Sequence, residues 1–304
     1  MTDVDGDHPA PAPPGQSAVS SQEPTRTPTA RPFRQVDVFT TTPLLGNPVA
    51  VVLDATGLDT ATMQAFARWT NLSETTFVLP PTSPSADYRV RIFTASTELP
   101  FAGHPTLGTC HAWLETQADA ASRTRFRQEC AAGLIPLRRT PDGLAFAAPP
   151  PRRTGPVDPG LLAGLATMLG IPPDEIVDAA WADNGPGWIA VLLDSAEAVL
   201  ALRPRDVDGS IGVVGPWPPG SPTAFEVRAF LGGGGVTVED PVTGSLNASV
   251  AQWLIATGRA HPPYTVSQGA ALHRAGRVRI TVDPDGTVWV AGATITCLSG
   301  TALL

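Results

Sequence analysis

An internal repeat constrains the fold of this chain more than any other feature of its sequence. The stretch YRVRIFTASTELPFAGHPTLGTCHAWL (88–114) matches FEVRAFLGGGGVTVEDPVTGSLNASVAQWL (225–254). Each copy reads as a strand, a Glu-x-Pro-x-x-Gly turn and a helix that carries Trp-Leu. Because the same strand, turn and helix are used twice, the sequence predicts two like halves related by a pseudo-twofold axis.

The two turns of the repeat point to a ligand site between the halves. After Gly103 and Gly244 the backbone enters a predicted helix, which leaves unpaired N–H groups and a positive dipole end. Two such helix starts at one cleft would bind a small carboxylate, and glycine lets the ligand approach the backbone closely. The same residues are also ordinary turn residues. That simpler interpretation weakens because His104 follows one glycine and Ser245 follows the other.

Two acidic residues are candidates for the chemistry of this site. Asp240 stands where the first copy has Leu99, so only one side of the cleft gains an acid at this position. Glu74, in NLSETTFVLP, begins a predicted strand among apolar neighbours. Desolvation there would raise its pKa towards a value useful for general acid–base catalysis. Taken alone, a glutamate is most often a surface residue.

The rest of the pattern is mixed α/β, with more strands than helices. Residues 1–31 are rich in Pro, Ser, Thr and Ala and are predicted to form a disordered tail. The N-terminal half is predicted at 32–148 and the C-terminal half at 149–304, with the last strands able to cross back to the first half. The proline-rich stretch 147–160 is predicted to be a linker without regular structure, and 205–223 to be a loop.

Composition excludes several classes of function. The 304 residues are 42% hydrophobic, enough for one large or two ordinary cores, and a net charge of −8 argues against a nucleic-acid partner. All 20 positive charges are arginines, which excludes a lysine Schiff base and a Walker-type phosphate loop. GGGG (232–235) does not give the G-x-G-x-x-G of a nicotinamide site. Without a long apolar run or a signal peptide, a cytoplasmic protein with no membrane partner is expected.

Cysteines and histidines give no sign of a metal centre or a disulfide framework. Cys110, Cys130 and Cys297 are scattered, and small buried hydrophobic roles in a reducing compartment are expected for them. His104 and His111 lie seven residues apart without a third ligand at metal-binding spacing. We therefore expect no metal site.

Together these motifs resemble the phenazine-biosynthesis PhzF-like isomerase family. The matching segments are VDVFT…GNPVAVVLD, NLSETTFVLP, YRVRIFTASTELPFAGHPTLGT and VRAFL…VEDPVTGSLNASVAQWL, which extend from about residue 35 to the C-terminus. The resemblance implies the diaminopimelate epimerase-like fold, with two similar α/β halves that each wrap a mixed sheet around a central helix. It also implies a homodimer and cofactor-independent proton transfer.

The resemblance further implies a set of site residues. Glu74 would be the general acid/base, and His104 and Asp240 would be the other catalytic residues beside the substrate. The expected substrate-binding residues are Asn47, Gly103, Gly244 and Ser245.

The reaction implied by the resemblance is an isomerisation, in which one glutamate moves a proton within a small unsaturated amino- or hydroxy-carboxylate. Such a reaction would serve secondary-metabolite or antibiotic biosynthesis. One alternative is an amino-acid epimerase or racemase of the same fold. It is disfavoured because the two turns hold Ala102-Gly103 and Thr243-Gly244, not the cysteine pair of the related epimerases. A non-catalytic small-molecule-binding protein is the other alternative.

Overall fold

The structure, a computed structural model, describes residues 27–304. Most of the predicted tail, residues 1–26, lies outside the described residues. Regular structure starts before the predicted boundary at residue 32, because the first strand begins at Ala30. Just before it, the backbones of Thr29 and Leu304 exchange two hydrogen bonds.

The first half consists of eight strands and two α-helices in chain order. These are β1 (Ala30–Val38), β2 (Asn47–Val52), α1 (Thr60–Thr70), β3 (Glu74–Leu79), β4 (Tyr88–Phe93), β5 (Glu98–Leu99), α2 (Gly103–Leu114), β6 (Arg125–Cys130), β7 (Gly133–Thr140) and β8 (Gly143–Ala147).

The remaining elements are ten strands and three α-helices. They are β9 (Arg153–Pro156), α3 (Pro159–Leu169), β10 (Ile176–Asp183), β11 (Trp188–Leu193), α4 (Ala196–Ala201), β12 (Gly209–Pro216), β13 (Phe225–Gly233), β14 (Val236–Asp240), α5 (Gly244–Ala256), β15 (Tyr264–Gln268), β16 (Gly276–Val282), β17 (Val288–Gly292) and β18 (Thr294–Leu303).

Strand pairing divides these elements into two sheets of the same design. The first sheet has the order β18-β1-β2-β3-β4-β6-β7-β8, and the second has the order β9-β10-β11-β12-β13-β15-β16-β17. Both are mixed sheets, with parallel pairs β2–β3 and β4–β6 matched by β11–β12 and β13–β15. The C-terminal strand β18 returns to pair with β1, and β8 pairs with β17 to join the sheets.

Each sheet surrounds one helix of the repeat. Eleven of the twelve residues of α2 are buried, as are nine of the thirteen residues of α5. Because these helices are enclosed on nearly all sides, they lack the polar face of a surface helix. None of the helices between residues 27 and 304 is long and apolar enough to cross a membrane.

The two glutamates of the repeated Glu-x-Pro-x-x-Gly turn are structural. Glu98 accepts hydrogen bonds from Nε and Nη2 of Arg91 at 2.7 and 2.6 Å. Glu239 accepts the same two bonds from Arg228 at 2.9 and 2.7 Å. In each half this bidentate pair joins the two strands of a hairpin, β4–β5 or β13–β14. The repeat therefore preserves a clamp that fixes the turn leading into the central helix.

Two predictions about irregular segments are wrong. The stretch 147–160 contains strand β9, which tolerates Pro156 because within the described chain it pairs only with β10 and lies at a sheet edge. The predicted loop 205–223 contains strand β12, which lies between β11 and β13. Its glycines are typical of loops but serve close packing here, since a Cβ at Gly212 would lie 2.2 Å from the Leu246 side chain.

Candidate active site

The starts of α2 and α5 touch each other backbone to backbone. A Cβ at Gly103 would lie 2.7 Å from the carbonyl carbon of Gly244 and 2.8 Å from the amide nitrogen of Ser245. A Cβ at Gly244 would lie 2.8 Å from the amide nitrogen of His104. Only glycine fits at either position, so the two repeated turns bring both helix N-termini to one place between the halves.

Glu74 begins β3 and faces this junction. Its Oε2 lies 3.4 Å from Nε2 of His104, and its side chain is 15% exposed. Burial, and then the negative charge of Asp240, raise the pKa of Glu74 well above its usual 4.5. Across residues 27–304, neither Glu74 Oε2 nor His104 Nε2 has a hydrogen-bond partner, although both atoms are buried. A carboxyl oxygen and an imidazole nitrogen are therefore both without a partner at this junction.

His104 is a neutral imidazole at this junction. Burial lowers its pKa from 6.5 to about 4, although the charge of Asp240 and the backbone of Pro48 act in the opposite direction. Its Nδ1 lies 3.3 Å from Nδ2 of Asn47. The two protons of that amide are donated to Asp240 and to the Val242 carbonyl, each at 3.0 Å, so the 3.3 Å approach to Nδ1 is a packing contact. The Nε2 edge of the ring faces Glu74.

Asp240 extends from the second half to polar groups of the first. Its Oδ1 accepts hydrogen bonds from Asn47 Nδ2 at 3.0 Å and from Ser73 Oγ at 3.3 Å. Its Oδ2 accepts a bond from Thr243 Oγ1 at 2.5 Å. The same Asn47 nitrogen also donates to the Val242 carbonyl at 3.0 Å. Asn47 thus connects the halves and orients the acid that faces Glu74.

Ser245 has partners that the sequence reasoning missed. Trp188 Nε1 donates to Ser245 Oγ at 3.1 Å, and Asn184 Nδ2 donates to the Ser245 carbonyl at 2.8 Å. Asn184 lies in the turn between β10 and β11, and Trp188 is the first residue of β11; both belong to the stretch DNGPGW. Its Asn-Gly pair marks a turn. Nothing in the local sequence indicates that this turn packs against the start of α5, because that contact spans about 60 residues.

The second half offers no counterpart of the Glu74 carboxylate. Glu74 lies one residue before the β3 partner of Phe93. Phe230 matches Phe93 in the repeat. The residue just before the β12 partner of Phe230 is Ser210, so Ser210 occupies the position that corresponds to Glu74. A serine hydroxyl cannot replace a carboxylate as a base, and neither helix turn holds a thiol. The pseudo-twofold design therefore places a glutamate carboxyl, Glu74, at this position in the first half and a serine, Ser210, at the equivalent position in the second.

A groove elsewhere on the described chain is separate from these residues. It has a volume of about 880 Å³ and lies near the C-terminal end of α2, lined in part by His111, Arg139 and Arg277. The residues between 27 and 304 include no group of three His, Cys, Asp or Glu side chains placed to hold a metal ion. The candidate site is thus a small, buried polar junction.

Similarity to known proteins identifies the family of this chain. The family profile described as phenazine biosynthesis-like protein (PhzC-PhzF) matches residues 36–302. The chain is 36% identical to antisense-enhancing sequence 1 of Schizosaccharomyces pombe, covering 91% of this chain and 100% of the relative. It is 37% identical to the trans-2,3-dihydro-3-hydroxyanthranilate isomerase of Pseudomonas fluorescens, covering 79% of this chain and 86% of the relative.

The fold also has solved counterparts. A PhzF-family phenazine biosynthesis protein of Bacillus anthracis superposes with a TM-score of 0.75 at 24% identity, covering 91% of this chain and all of the other. That similarity confirms the predicted fold of two like halves. The chain therefore belongs to the phenazine biosynthesis-like (PhzC-PhzF) family and is an isomerase of that family, as its motifs predicted.

Proposed function

We propose that this isomerase moves a proton within a small unsaturated amino- or hydroxy-carboxylate, with Glu74 as its single acid/base. The observation that carries the proposal is the Glu74 carboxyl, whose pKa is raised by burial and by the charge of Asp240. Its Oε2 lies 3.4 Å from Nε2 of the neutral His104. A carboxyl with a raised pKa is both a stronger base when ionised and a ready acid when protonated. One residue can therefore remove a proton in the first step and return it in the second.

The substrate carboxylate would bind at the start of α5. Free backbone N–H groups and the positive end of the helix dipole favour an anion there. The Ser245 hydroxyl accepts a hydrogen bond from Trp188, which leaves its own proton free to donate to the ligand. Asp240 would hold an amino group and His104 a hydroxyl or amino group, which orients the substrate between the two helix starts.

The proton transfer would take place in two steps. Ionised Glu74 removes an allylic or α proton, so that a C–H bond breaks and an O–H bond forms on the carboxyl. The electron pair moves into the conjugated system and is stabilised by the groups that hold the carboxylate. Glu74 then gives the proton to another carbon, which completes the shift of the double bond and restores the carboxylate.

A cyclic amino-hydroxy-carboxylate is the substrate type that we propose. The relative from Pseudomonas fluorescens is named for trans-2,3-dihydro-3-hydroxyanthranilate, which carries an unsaturated ring, an amine, a hydroxyl and a carboxylate. Each polar group of such a compound has a plausible partner among Asp240, His104 and Ser245. A role in secondary-metabolite or antibiotic biosynthesis belongs to the same proposal.

Turnover of a substrate panel tests this proposal. The panel comprises trans-2,3-dihydro-3-hydroxyanthranilate, unsaturated proline precursors and free amino acids of both hands. Glu74→Gln should lower turnover by about 10²–10⁴-fold, the usual contribution of a general acid/base. Glu98→Gln is the matched control, because Glu98 is a partly exposed structural carboxylate and its variant should stay active. Undiminished turnover by Glu74→Gln would contradict the proposed base.

The same panel separates the alternatives. Inversion of a free amino acid by the wild type would favour an epimerase. Tight binding of panel members without any turnover would favour a binding protein.

The assembly and location expected from the sequence also stay proposals. We propose a homodimer, which light scattering would report as twice the chain mass of 31.6 kDa. A mass equal to one chain would contradict it. The cytoplasmic location would be tested by fractionating cells that produce the protein.

A further inference from the structure

Gln268 lies at the end of β15, and both the oxygen and the nitrogen of its side-chain amide form hydrogen bonds with residues 240–247. The side chain is 1% exposed. Its Oε1 accepts hydrogen bonds from the backbone N–H of Thr243 at 3.0 Å and from Asn247 Nδ2 at 2.8 Å. Its Nε2 donates to Thr243 Oγ1 at 3.0 Å and to the backbone carbonyl of Asp240 at 3.3 Å. The amide therefore has no free donor or acceptor.

These contacts fix the direction of each hydrogen bond. A backbone N–H can only donate, so Oε1 of Gln268 must face Thr243 N, and Nε2 must face the Thr243 hydroxyl. That hydroxyl has a single proton, and because it accepts from Gln268 it donates this proton to Asp240 Oδ2 at 2.5 Å. The chain Gln268→Thr243→Asp240 thus supplies a donor to the carboxylate, in addition to the donors on Oδ1.

Donors on both oxygens favour the charged form of a carboxylate. Two neighbouring carboxyl groups do not ionise independently, so a negative charge on one makes the other take up a proton more readily. Glu74 has no compensating donor on Oε2, and burial and the charge of Asp240 both raise its pKa. The difference in environment between Glu74 and Asp240 therefore depends on the residues that donate hydrogen bonds to Asp240.

We propose that Gln268 and Thr243 are positioning residues, whose hydrogen bonds hold the Asp240 carboxylate in place so that its negative charge makes Glu74 take up a proton more readily. This inference rests on the proposed role of Glu74 as the acid/base. It adds two residues that touch neither the substrate nor the reacting atoms.

Other charged or titratable groups on the surrounding elements are engaged elsewhere. Arg274 donates from Nη1 to the carbonyls of Leu44 and Gly46, and Asp37 accepts from the Gly46 N–H. His104 is neutral, as described above. Arg228 and Glu239, on the hairpin next to Asp240, pair with each other. Within the described chain, none of these groups hydrogen-bonds to the Asp240 or Glu74 carboxylates.

The test is a pH titration of the Glu74 side-chain carboxyl by carbon-13 NMR, on full-length protein labelled at glutamate. The resonance is assigned by its loss in Glu74→Gln. Thr243→Val removes the hydroxyl and Gln268→Met removes the amide. Each should lower the Glu74 midpoint by about one pH unit, which corresponds to one lost bond to a charged group.

Two further variants separate positioning from general disruption. Thr243→Ser keeps a hydroxyl and should restore the wild-type midpoint. Gln252→Met removes a different glutamine of this region, one that bonds only the Pro149 carbonyl, and should leave the midpoint unchanged. If Gln268→Met does not fold, the comparison of Thr243→Val with Thr243→Ser still decides. A wild-type midpoint in a folded Thr243→Val variant would overturn the inference.

The titration needs no substrate, so its failure and that of the proposed function are distinguishable. Shifted midpoints together with no loss of turnover in Glu74→Gln would refute the proposed function and support the hydrogen-bond chain. Unshifted midpoints together with loss of turnover in Glu74→Gln would do the opposite.

Discussion

Replacing Gly103 by alanine should force apart the two helix starts that form the site. The added Cβ would lie 2.7–2.8 Å from three backbone atoms of Gly244 and Ser245, none of which can rotate away. Ordinary contacts begin at about 3.4 Å, so the helix starts must separate by at least about 0.7 Å. Overpacking of this kind lowers the free energy of unfolding by about 1–3 kcal/mol. Alanine favours helix by itself, so any loss must come from the contact.

Gly164→Ala in α3 is the matched control for this substitution. It too replaces a helical glycine, but a Cβ there meets no atom within 4 Å. We therefore expect Gly164→Ala to raise the free energy of unfolding by about 0.5–1 kcal/mol, the opposite sign. Urea denaturation of both variants gives the two values.

Activity should follow the same displacement. The Gly103 shift separates Glu74 and His104 from Asp240 and Ser245, and a misplacement near 1 Å lowers turnover by about 100-fold. A Gly103→Ala variant with wild-type stability and turnover would refute the contact between the helix starts.

Three further predictions follow from individual contacts. Arg228→Ala leaves Glu239 buried without its partner and should lower the free energy of unfolding by about 3–5 kcal/mol. Arg91→Ala breaks the equivalent but more exposed pair with Glu98 and should lower it by at most about 1 kcal/mol. Equal values in denaturant titrations would contradict this. Trp188→Phe removes the N–H that holds the Ser245 hydroxyl, so KM should rise about tenfold in steady-state kinetics with kcat nearly unchanged; a lower kcat with the same KM would argue against a binding role. The pKa of His104 is about 4 in the folded chain and 6.5 in the unfolded chain. Between pH 6.5 and pH 4 the unfolded chain therefore binds one more proton at this residue than the folded chain does. As the pH falls from 6.5 to 4, the unfolding free energy of the wild type should therefore decrease by up to about 3 kcal/mol relative to that of His104→Asn. A difference between the two proteins that does not change with pH would refute the lowered pKa of His104.

The repeat was enough to predict the two-half architecture from the sequence. It pairs a strand, a turn and a helix whose local signals agree, and both helices begin at the predicted glycines. The edge strand β9 was missed because its one proline, Pro156, is compatible with a sheet edge as well as with a linker. Strand β12 was missed because the small residues that let a helix pack against it resemble those of a loop.

The site was predictable only in part, for a physical reason. The repeat and the family motifs pointed to Glu74, His104 and Asp240, and the structure places these three together. The contacts of Trp188 and Gln268 are side-chain hydrogen bonds between elements distant in the chain. No local pattern records such contacts, because an indole or an amide at these positions is equally compatible with an ordinary buried strand residue.

The central claim is that Glu74 alone carries the proton, and proton NMR of turnover in D₂O tests it most directly. With trans-2,3-dihydro-3-hydroxyanthranilate, the wild type should give an isomerised product whose receiving carbon takes up the substrate's own hydrogen, or deuterium where the Glu74 carboxyl exchanges with solvent between the two steps. The Glu74→Gln variant should give neither product nor exchange. Deuterium uptake that survives in Glu74→Gln, or uptake with inversion at the carbon that loses the proton, would contradict the claim.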